Sequence, residues 1–214
     1  MRKHIFLTLA LLAGGLTGAV ADAVDAGLPG FFRSWLAAQK RAGDVRVEFD
    51  ITKTLPALKA PVKSSGRFWN YADGRFLWET GRPPSAVLRF DGVTLDTWEA
   101  AENKWHKLDP NQRGVRLWMD FLGGKNLTEA TLVREFVITA APAKAPMAGV
   151  ILQPRSQRER RDLKQIELKI NTAEQRLVQL VVAQGDGGTQ LMEFKEPRRM
   201  SAADRAVVPA PAHE

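Results

Sequence analysis

The stretch KSSGRFWNYADGRFLWETGRPPSAVLRFDGVTLDTWE, residues 63–99, decides the fold. It contains four short runs rich in aromatic and β-branched residues, and each run is closed by a Gly, Pro or Asp-Gly turn. Large apolar and polar residues alternate along several runs, which is typical of antiparallel strands with one apolar and one solvated face. The large apolar side chains are Phe68, Phe76, Trp78, Leu88, Phe90 and Trp98. Such a face must pack on helices, close on itself or hold an apolar ligand.

Further elements are predicted on either side of this stretch. Before it, an amphipathic helix begins near Pro29 and ends near Gly43, and a strand covers about 44–53. The apolar stripe of this helix has helical spacing and comprises Leu28, Phe31, Phe32, Trp35 and Leu36. After the stretch, helical spacing predicts helices at 115–122 and 127–132. Alternation and turn residues predict strands at 104–108, 134–140, 149–153, 163–171, 177–184 and 189–196.

These elements indicate one domain over residues 22–206, because neither an internal repeat nor a long linker divides them. It contains about ten antiparallel strands, an N-terminal helix and a helical insertion near the middle. The Pro- and Ala-rich tail, residues 207–214, is predicted to be disordered.

Residues 1–21 have the features of a cleaved secretory signal. Arg2 and Lys3 are followed by an apolar run from Ile5 to Val20 and by a small-x-small end at Ala21. A membrane anchor is the alternative, but the run is shorter than the ~20 apolar residues of a spanning helix and contains three glycines. No Cys follows the signal, so no lipid anchor is expected. The sequence predicts a soluble exported protein, periplasmic in a bacterium with two membranes.

Composition and motifs exclude several classes of function. The net charge is +7, and its basic residues are interleaved with acids, which favours a soluble surface over a nucleic-acid interface. The chain has no Cys, and after the signal its histidines are His106 and His213, so zinc sites and Cys/His nucleophilic pairs are not expected. Neither a G-x-S-x-G elbow nor a nucleotide-binding motif is present. The sequence therefore predicts no enzyme, no metal and no cofactor, and a hydrolase is the weakest alternative.

Two segments allow two interpretations each. The predicted helix 115–122 carries Trp118, Met119, Phe121 and Leu122, which fit a core stripe or a lid over an apolar cavity equally well. The basic run between Arg155 and Lys164 could meet an acidic partner or anionic lipid head groups. The favoured interpretation of that run is a solvated turn, because Glu159 and Asp162 dilute its charge.

The order of motifs resembles the outer-membrane lipoprotein carrier protein family, LolA, over nearly the whole chain after the signal. An exported chain begins with an amphipathic helix and a first strand, and a Ser-x-Gly-x-Phe hairpin follows. An aromatic-x-Trp strand, a Pro turn, a strand ending in Asp-Gly and a later Leu-x-Pro come next. In this chain the motifs are Ser64–Phe68, Phe76–Glu79, Val87–Gly92 and Leu152–Pro154.

The resemblance implies a fold of mainly β class: an unclosed antiparallel β-barrel whose concave face is capped by helices. It implies a monomeric periplasmic carrier that takes lipoproteins or other acylated lipids from an inner-membrane ABC-type exporter to an outer-membrane receptor. The carrier shields acyl chains during transfer. The predicted lipid-binding residues are Phe49, Phe68, Phe76, Trp78, Leu88 and Phe90 on the concave face and Trp118, Met119, Phe121 and Leu122 on the lid.

The chain departs from the family in one turn. Members commonly have Arg-Pro before the aromatic-x-Trp strand, and that Arg is thought to hold the lid closed. Here the aligned residues are Ala72 and Asp73, and Arg75 is displaced to the far side of the turn. A different lid latch or a different cargo is therefore expected. The alternative functions are a carrier of a glycolipid or other free lipid, and a non-catalytic sensor or protein-binding domain.

Overall fold

The computed structural model describes residues 27–109, 119 and 127–207 of the 214-residue chain. The predicted signal segment, most of the predicted helix 115–122 and the tail beyond Val207 lie outside these residues. The described helices are α1 (Gly30–Arg41), α2 (Glu129–Glu135) and α3 (Ala202–Arg205). The strands are β1 (Val45–Thr54), β2 (Val62–Asn70), β3 (Phe76–Thr80), β4 (Ala86–Phe90), β5 (Leu95–Glu99), β6 (Lys104–Leu108), β7 (Phe136–Ala141), β8 (Met147–Pro154), β9 (Leu163–Asn171), β10 (Arg176–Gln184), β11 (Thr189–Phe194) and β12 (Arg198–Arg199).

All the strands belong to one antiparallel sheet of 12 strands. Their order is β6-β5-β4-β3-β2-β1-β11-β10-β9-β8-β7, and β12 pairs with β1 beside β11. Within the part of the chain that the structure describes, β6 and β7 form the two edges and do not pair with each other, so the sheet does not close. The predicted fold class, an unclosed antiparallel barrel of mainly β structure, is confirmed.

Sequence predictions of element boundaries are accurate in the strands and less so around α2. Strands β6 and β9 occupy the predicted ranges 104–108 and 163–171. The predicted helical turn at 127–132 begins later, because the Thr128 hydroxyl accepts a hydrogen bond from the Thr131 backbone N–H at 3.0 Å and makes Thr128 the N-cap. The helix continues to Glu135, and the next strand therefore starts at Phe136 rather than at 134.

The main apolar core lies between helices α1 and α2 and one face of the sheet. Helix α1 contributes Phe32, Trp35 and Leu36, and Leu28 precedes it; all four are buried. Leu132 of α2 is also fully buried in this cluster. Among the described residues, no helix combines the length and the apolar character that crossing a membrane requires.

The opposite face of the sheet has a smaller core that the sequence did not predict. Trp69 and Leu77 are 3% and 4% exposed, and with Tyr71 and Met200 they form a separate buried cluster. Their side chains occupy strand positions of opposite parity to Phe68 and Trp78, so alternation places them on the outer face. The expectation of a wholly solvated second face is therefore wrong at β2 and β3.

A segment at the end of the described chain covers this outer cluster. We call residues 198–207, which include β12 and α3, the C-terminal strap. Asp204 of the strap accepts hydrogen bonds from the Trp69 indole N–H at 3.1 Å and from Arg46 at 3.1 Å. The Tyr71 hydroxyl donates to the Asp204 backbone carbonyl at 2.9 Å. The strap thereby shields Trp69 and Tyr71 from water; without it, both side chains would lie exposed on the outer face.

Candidate ligand cavity

A cavity of about 330 Å³ lies between α1 and the concave face of the sheet. It is bounded by the C-terminal half of the helix, by β1 to β3 and by β10 and β11. The wall is mostly apolar and includes Trp35, Leu36, Val47, Phe68, Trp78, Leu177, Leu180 and Phe194. An apolar pocket with few polar groups is the usual form of a small-molecule site, and this volume lies near the lower end of the ~300–1,000 Å³ range of such sites.

Polar residues of the cavity wall come mainly from the turn between β9 and β10. Asn171 shapes this turn, since its side-chain oxygen accepts hydrogen bonds from two backbone N–H groups, those of Ala173 at 3.0 Å and Glu174 at 3.2 Å. Glu174 and Arg176 form an ion pair with each other. Among the described residues, the two charged side chains that line the cavity therefore pair with each other.

Helix α1 is joined to its surroundings by polar contacts near both ends. Near the C-terminal end, the Gln39 amide donates a hydrogen bond to the Gln175 backbone carbonyl at 3.2 Å. Near the other end, Arg33 binds Glu129 of α2 through two nitrogens, at 2.9–3.1 Å. The Arg33 guanidinium lowers the pKa of the Glu129 carboxyl, but both side chains are exposed to solvent. These contacts join α1 to α2 and to the β9–β10 turn.

Arg75 lies in the turn between β2 and β3. Its guanidinium stacks over the Tyr71 ring, 4.6 Å from the ring centroid, and pairs with Asp73 at 2.8 Å. These contacts hold the turn between β2 and β3 next to the outer cluster.

Cross-strand pairing brings the predicted sheet residues onto one face. Trp78 lies opposite Phe68 on β2 and opposite Leu88 on β4, and Phe76 lies opposite Phe90. The rings of Phe49 and Trp78 are in contact, with centroids 4.3 Å apart. Their common face is a consequence of this register, because residues paired in antiparallel strands project to the same side.

Two of the predicted lipid-binding residues line the cavity itself. These are Phe68 and Trp78. Phe49, Phe76 and Leu88 are buried in the adjoining core, and Phe90 is half-buried against it. Met119 is helical, half-buried and packed on the same core. Trp118, Phe121 and Leu122 lie outside the described residues, so the predicted lid is represented here by Met119 alone.

The sequence did not assign several cavity residues to a ligand site. Leu36 belongs to the predicted helix stripe and Val47 to the predicted strand 44–53, so periodicity could have selected them. Gln175 lies in the turn between β9 and β10 and Leu177 lies in β10, 76 and 78 positions beyond the end of the stretch 63–99, and no local pattern links them to it. Asn70 ends β2 in alternation with Phe68, which is the signal that could have identified it.

Four polar atoms of the cavity-lining residues are buried without a hydrogen-bond partner among the described residues. They are the indole N–H groups of Trp35 and Trp78 and the amide oxygens of Asn70 and Gln175. Trp35 and Trp78 are only 5% and 6% exposed. A buried polar group without a partner costs about 1–3 kcal/mol, so native structures contain few of them.

The other groups considered as chemical sites have structural partners. His106 contacts Glu102 at 3.0 Å on the surface. In the basic run, Arg155 donates to the backbone carbonyls of Val133 at 2.7 Å and Phe136 at 3.1 Å, and Arg160 donates to that of Pro154 at 2.7 Å. Arg155 thus binds main-chain oxygens at the junction of α2 and β7, and Arg160 binds one at the end of β8. No cluster of three or more His, Cys, Asp or Glu side chains suited to a metal occurs in the described ranges.

Comparison with known proteins identifies similar folds among solved structures. No family model and no curated protein matches the chain. A LolA superfamily protein from Nitrosomonas europaea has a TM-score of 0.41 and 9% identity, over 79% of this chain and 93% of that one. LprF from Mycobacterium bovis has a TM-score of 0.40 and 16% identity, over 86% and 96%.

A third similar structure is a complex. It contains MucA and MucB of Pseudomonas aeruginosa and has a TM-score of 0.40 and 12% identity, over 80% of this chain and 58% of that one. The present chain thus matches little more than half of the chain compared in that complex. Similarity at this level concerns the fold alone and does not establish a shared ligand.

Proposed function

We propose that this protein is a periplasmic carrier that shields acyl chains in an apolar cavity during transfer between the inner and outer membranes. The observation that carries the proposal is the cavity of about 330 Å³ between α1 and the aromatic face of the sheet. An acyl chain in water exposes apolar surface worth about 0.8 kcal/mol per CH₂ group, and burial in this cavity removes that cost. The proposed action needs no covalent step and no cofactor.

The proposed lipid-binding residues are divided between two roles. Phe68 and Trp78 line the cavity and would contact the chain directly. Phe49, Phe76, Leu88 and Phe90 support that wall from the adjoining core, and Trp118, Met119, Phe121 and Leu122 are proposed to cover it. The signal over residues 1–21 and the carrier domain over 22–206 belong to the same proposal, as do an ABC-type exporter as donor and an outer-membrane receptor as acceptor.

The cavity volume bears on the cargo. At about 330 Å³ it suits one acyl chain better than several. A lipoprotein with more than one chain would require α1 to move away from the sheet. The polar contacts of Gln39 and Arg33 would have to break in such a movement.

A periplasmic preparation and two tryptophan variants of α1 test the proposal. We expect native mass spectrometry of the protein isolated from the periplasm to show a bound acyl lipid. Ala38→Trp places an indole in the cavity, which Ala38 lines, and should weaken binding of a lauroyl probe roughly tenfold, because loss of two buried CH₂ groups alone has that effect.

The matched control is Lys40→Trp on the exposed side of the same helix. It should bind the lauroyl probe as the original protein does. A periplasmic protein that carries no lipid and binds no acyl probe would refute the carrier proposal. Co-isolation of a protein partner without lipid would favour the protein-binding alternative instead.

A further inference from the structure

The loop between β1 and β2 exposes an apolar surface. It has the sequence LPALKAP, residues 55–61, and all of its residues except Lys59 are apolar. Leu58 in the loop and Val62 directly after it are 48% and 47% exposed. Lys59 and Lys63 are exposed beside them, and neither forms an ion pair among the described residues. A contiguous exposed apolar surface typically marks a contact with a partner or a membrane.

Two other turns lie next to this loop. A Cβ built on Gly187, in the turn between β10 and β11, would lie 3.4 Å from Pro56 Cγ. That turn also reaches the segment between β8 and β9, because the Gly185 backbone N–H donates to the Asp162 backbone carbonyl at 2.9 Å. The three segments therefore form one continuous surface at one end of the sheet. We call them the basic end; it comprises residues 53–63, 155–164 and 185–188.

The basic end holds most of the net charge of the chain. It contains eight Lys and Arg residues and three Asp and Glu residues, a net charge of +5 where the whole chain has +7. Arg155 and Arg160 donate to main-chain carbonyls. Arg161 and Lys164 are exposed and form no ion pair in the part of the chain that the structure describes. The basic run thus belongs to the same surface as the exposed apolar loop.

An anionic lipid surface has the properties that complement this end. Its head groups attract Lys and Arg side chains, and the boundary between head groups and acyl chains accepts apolar side chains. A nucleic acid would match the charge but would leave Leu58 and Val62 without an apolar partner. Val62 and Lys63 point to opposite faces of β2, so an approach of the sheet with this end first brings both to the membrane.

We infer that the basic end docks on an anionic membrane surface, with Leu58 and Val62 inserted at the level of the head groups and with Lys59, Lys63 and Lys164 against lipid phosphates. Docking adds a second binding surface to the molecule. It does not depend on the proposed carrier function, because the contacts that it uses lie outside the cavity.

The cavity lies towards the other end of the same strands. Val45 and Arg176, which line the cavity, begin β1 and β10, whereas the basic end adjoins the last residues of both strands. A strand of ten residues such as β1 spans about 30 Å. We therefore expect the lauroyl probe to bind equally well whether or not the protein is docked, and failure of one proposal leaves the other intact.

Vesicle flotation tests the docking and its charge dependence. The protein should float with phosphatidylcholine vesicles that contain phosphatidylglycerol and should not float with pure phosphatidylcholine. Lys59→Gln, Lys63→Gln and Lys164→Gln should each lower the partition coefficient roughly fivefold, the effect of one cation close to an anionic surface. Lys144→Gln is the matched control, because Lys144 is exposed in the turn between β7 and β8 at the other end of the sheet.

Apolar insertion is tested separately from charge. Leu58→Asp should weaken binding to the anionic vesicles roughly tenfold or more, because a Leu side chain can then no longer be buried. Val93→Asp is the control, since Val93 is 65% exposed but lies in the turn between β4 and β5. Binding of the lauroyl probe by each variant checks that the fold is retained.

A fluorescent label reports the position of the loop directly. The chain has no Cys, so Ala57→Cys and the control Val93→Cys each provide one labelling site. An environment-sensitive dye at position 57 should shift its emission to the blue when anionic vesicles are added, and the dye at position 93 should not. The inference would be overturned by equal binding to neutral and anionic vesicles, by no vesicle binding, or by binding that Leu58→Asp leaves unchanged. Capture of an acidic protein without vesicle binding would also contradict it.

Discussion

Phe68 and Trp69 are neighbours in the chain that belong to different cores. Phe68 lines the cavity on the concave face, whereas Trp69 lies in the outer cluster and donates its N–H to Asp204. The alternation of a strand requires this separation. Both residues are large and apolar, but only their even or odd position along the strand tells which of the two can contact a ligand on the concave face.

Gly66 lies opposite Phe49 on β1 and leaves space for its ring. A Cβ at this position would be 2.3 Å from Phe49 Cζ and 2.5 Å from the Glu79 carbonyl oxygen. We expect Gly66→Ala to lower the free energy of unfolding by about 1–3 kcal/mol, as overpacking of a core does. Urea denaturation measures the change. Gly43→Ala, where a Cβ meets nothing within 4 Å, is the control and should be nearly neutral.

At the scale of elements, the C-terminal strap is the part that the sequence did not reveal. Its helix has four residues, from Ala202 to Arg205, and is too short for apolar periodicity to be visible. The available signal was the pair Ser201 and Asp204, which forms a capping box. By contrast, β9 has the predicted bounds 163–171, because Ile166, Leu168 and Ile170 alternate with polar residues.

The attachment of the C-terminal strap to β1 and β2 depends on pH, because it involves the Asp204 carboxylate. Hydrogen bonds from the Ser201 backbone N–H and hydroxyl, together with Arg46 and Trp69, hold the pKa of its carboxyl well below the usual value. Such a group stabilises the folded state above its unfolded pKa, near 3.9, and this contribution is lost as the pH falls towards the folded pKa.

We therefore expect Asp204→Asn to destabilise the protein at neutral pH by roughly 1–3 kcal/mol, because charge-assisted hydrogen bonds are lost. The difference between the variant and the original protein should shrink below about pH 4. Urea denaturation across pH checks both statements. Asp50→Asn changes an exposed carboxylate and is the control. A difference that stays constant with pH would show that the carboxyl charge does not hold the strap.

At the scale of the whole molecule, two cores share the same central strands. The main core and the outer cluster lie on opposite faces of β2 and β3, and β1 joins these strands to the other half of the sheet. The strand order of that sheet follows from consecutive hairpins, apart from the pairings of β1 with β11 and with β12. Local patterns predict hairpins well, but they contain no information on which distant strand meets β1.

Because the cores share strands, we expect one cooperative unfolding transition. Far-ultraviolet circular dichroism, which follows the sheet, and tryptophan fluorescence, which includes Trp69 outside and Trp35 inside, should give the same midpoint in urea. Two separate midpoints would show that the outer cluster and its strap unfold independently of the sheet.

The way α1 is attached has a consequence for ionic strength. The ion pair between Arg33 and Glu129 is exposed and is screened by salt, while the hydrogen bond from Gln39 is neutral and the buried face of α1 is apolar. Apolar contacts are not weakened by screening, and strongly hydrated salts strengthen them. We therefore expect α1 to stay on the sheet when the ionic strength changes. The movement of α1 that a larger cargo would require would then need a surface that competes for the apolar face of the helix.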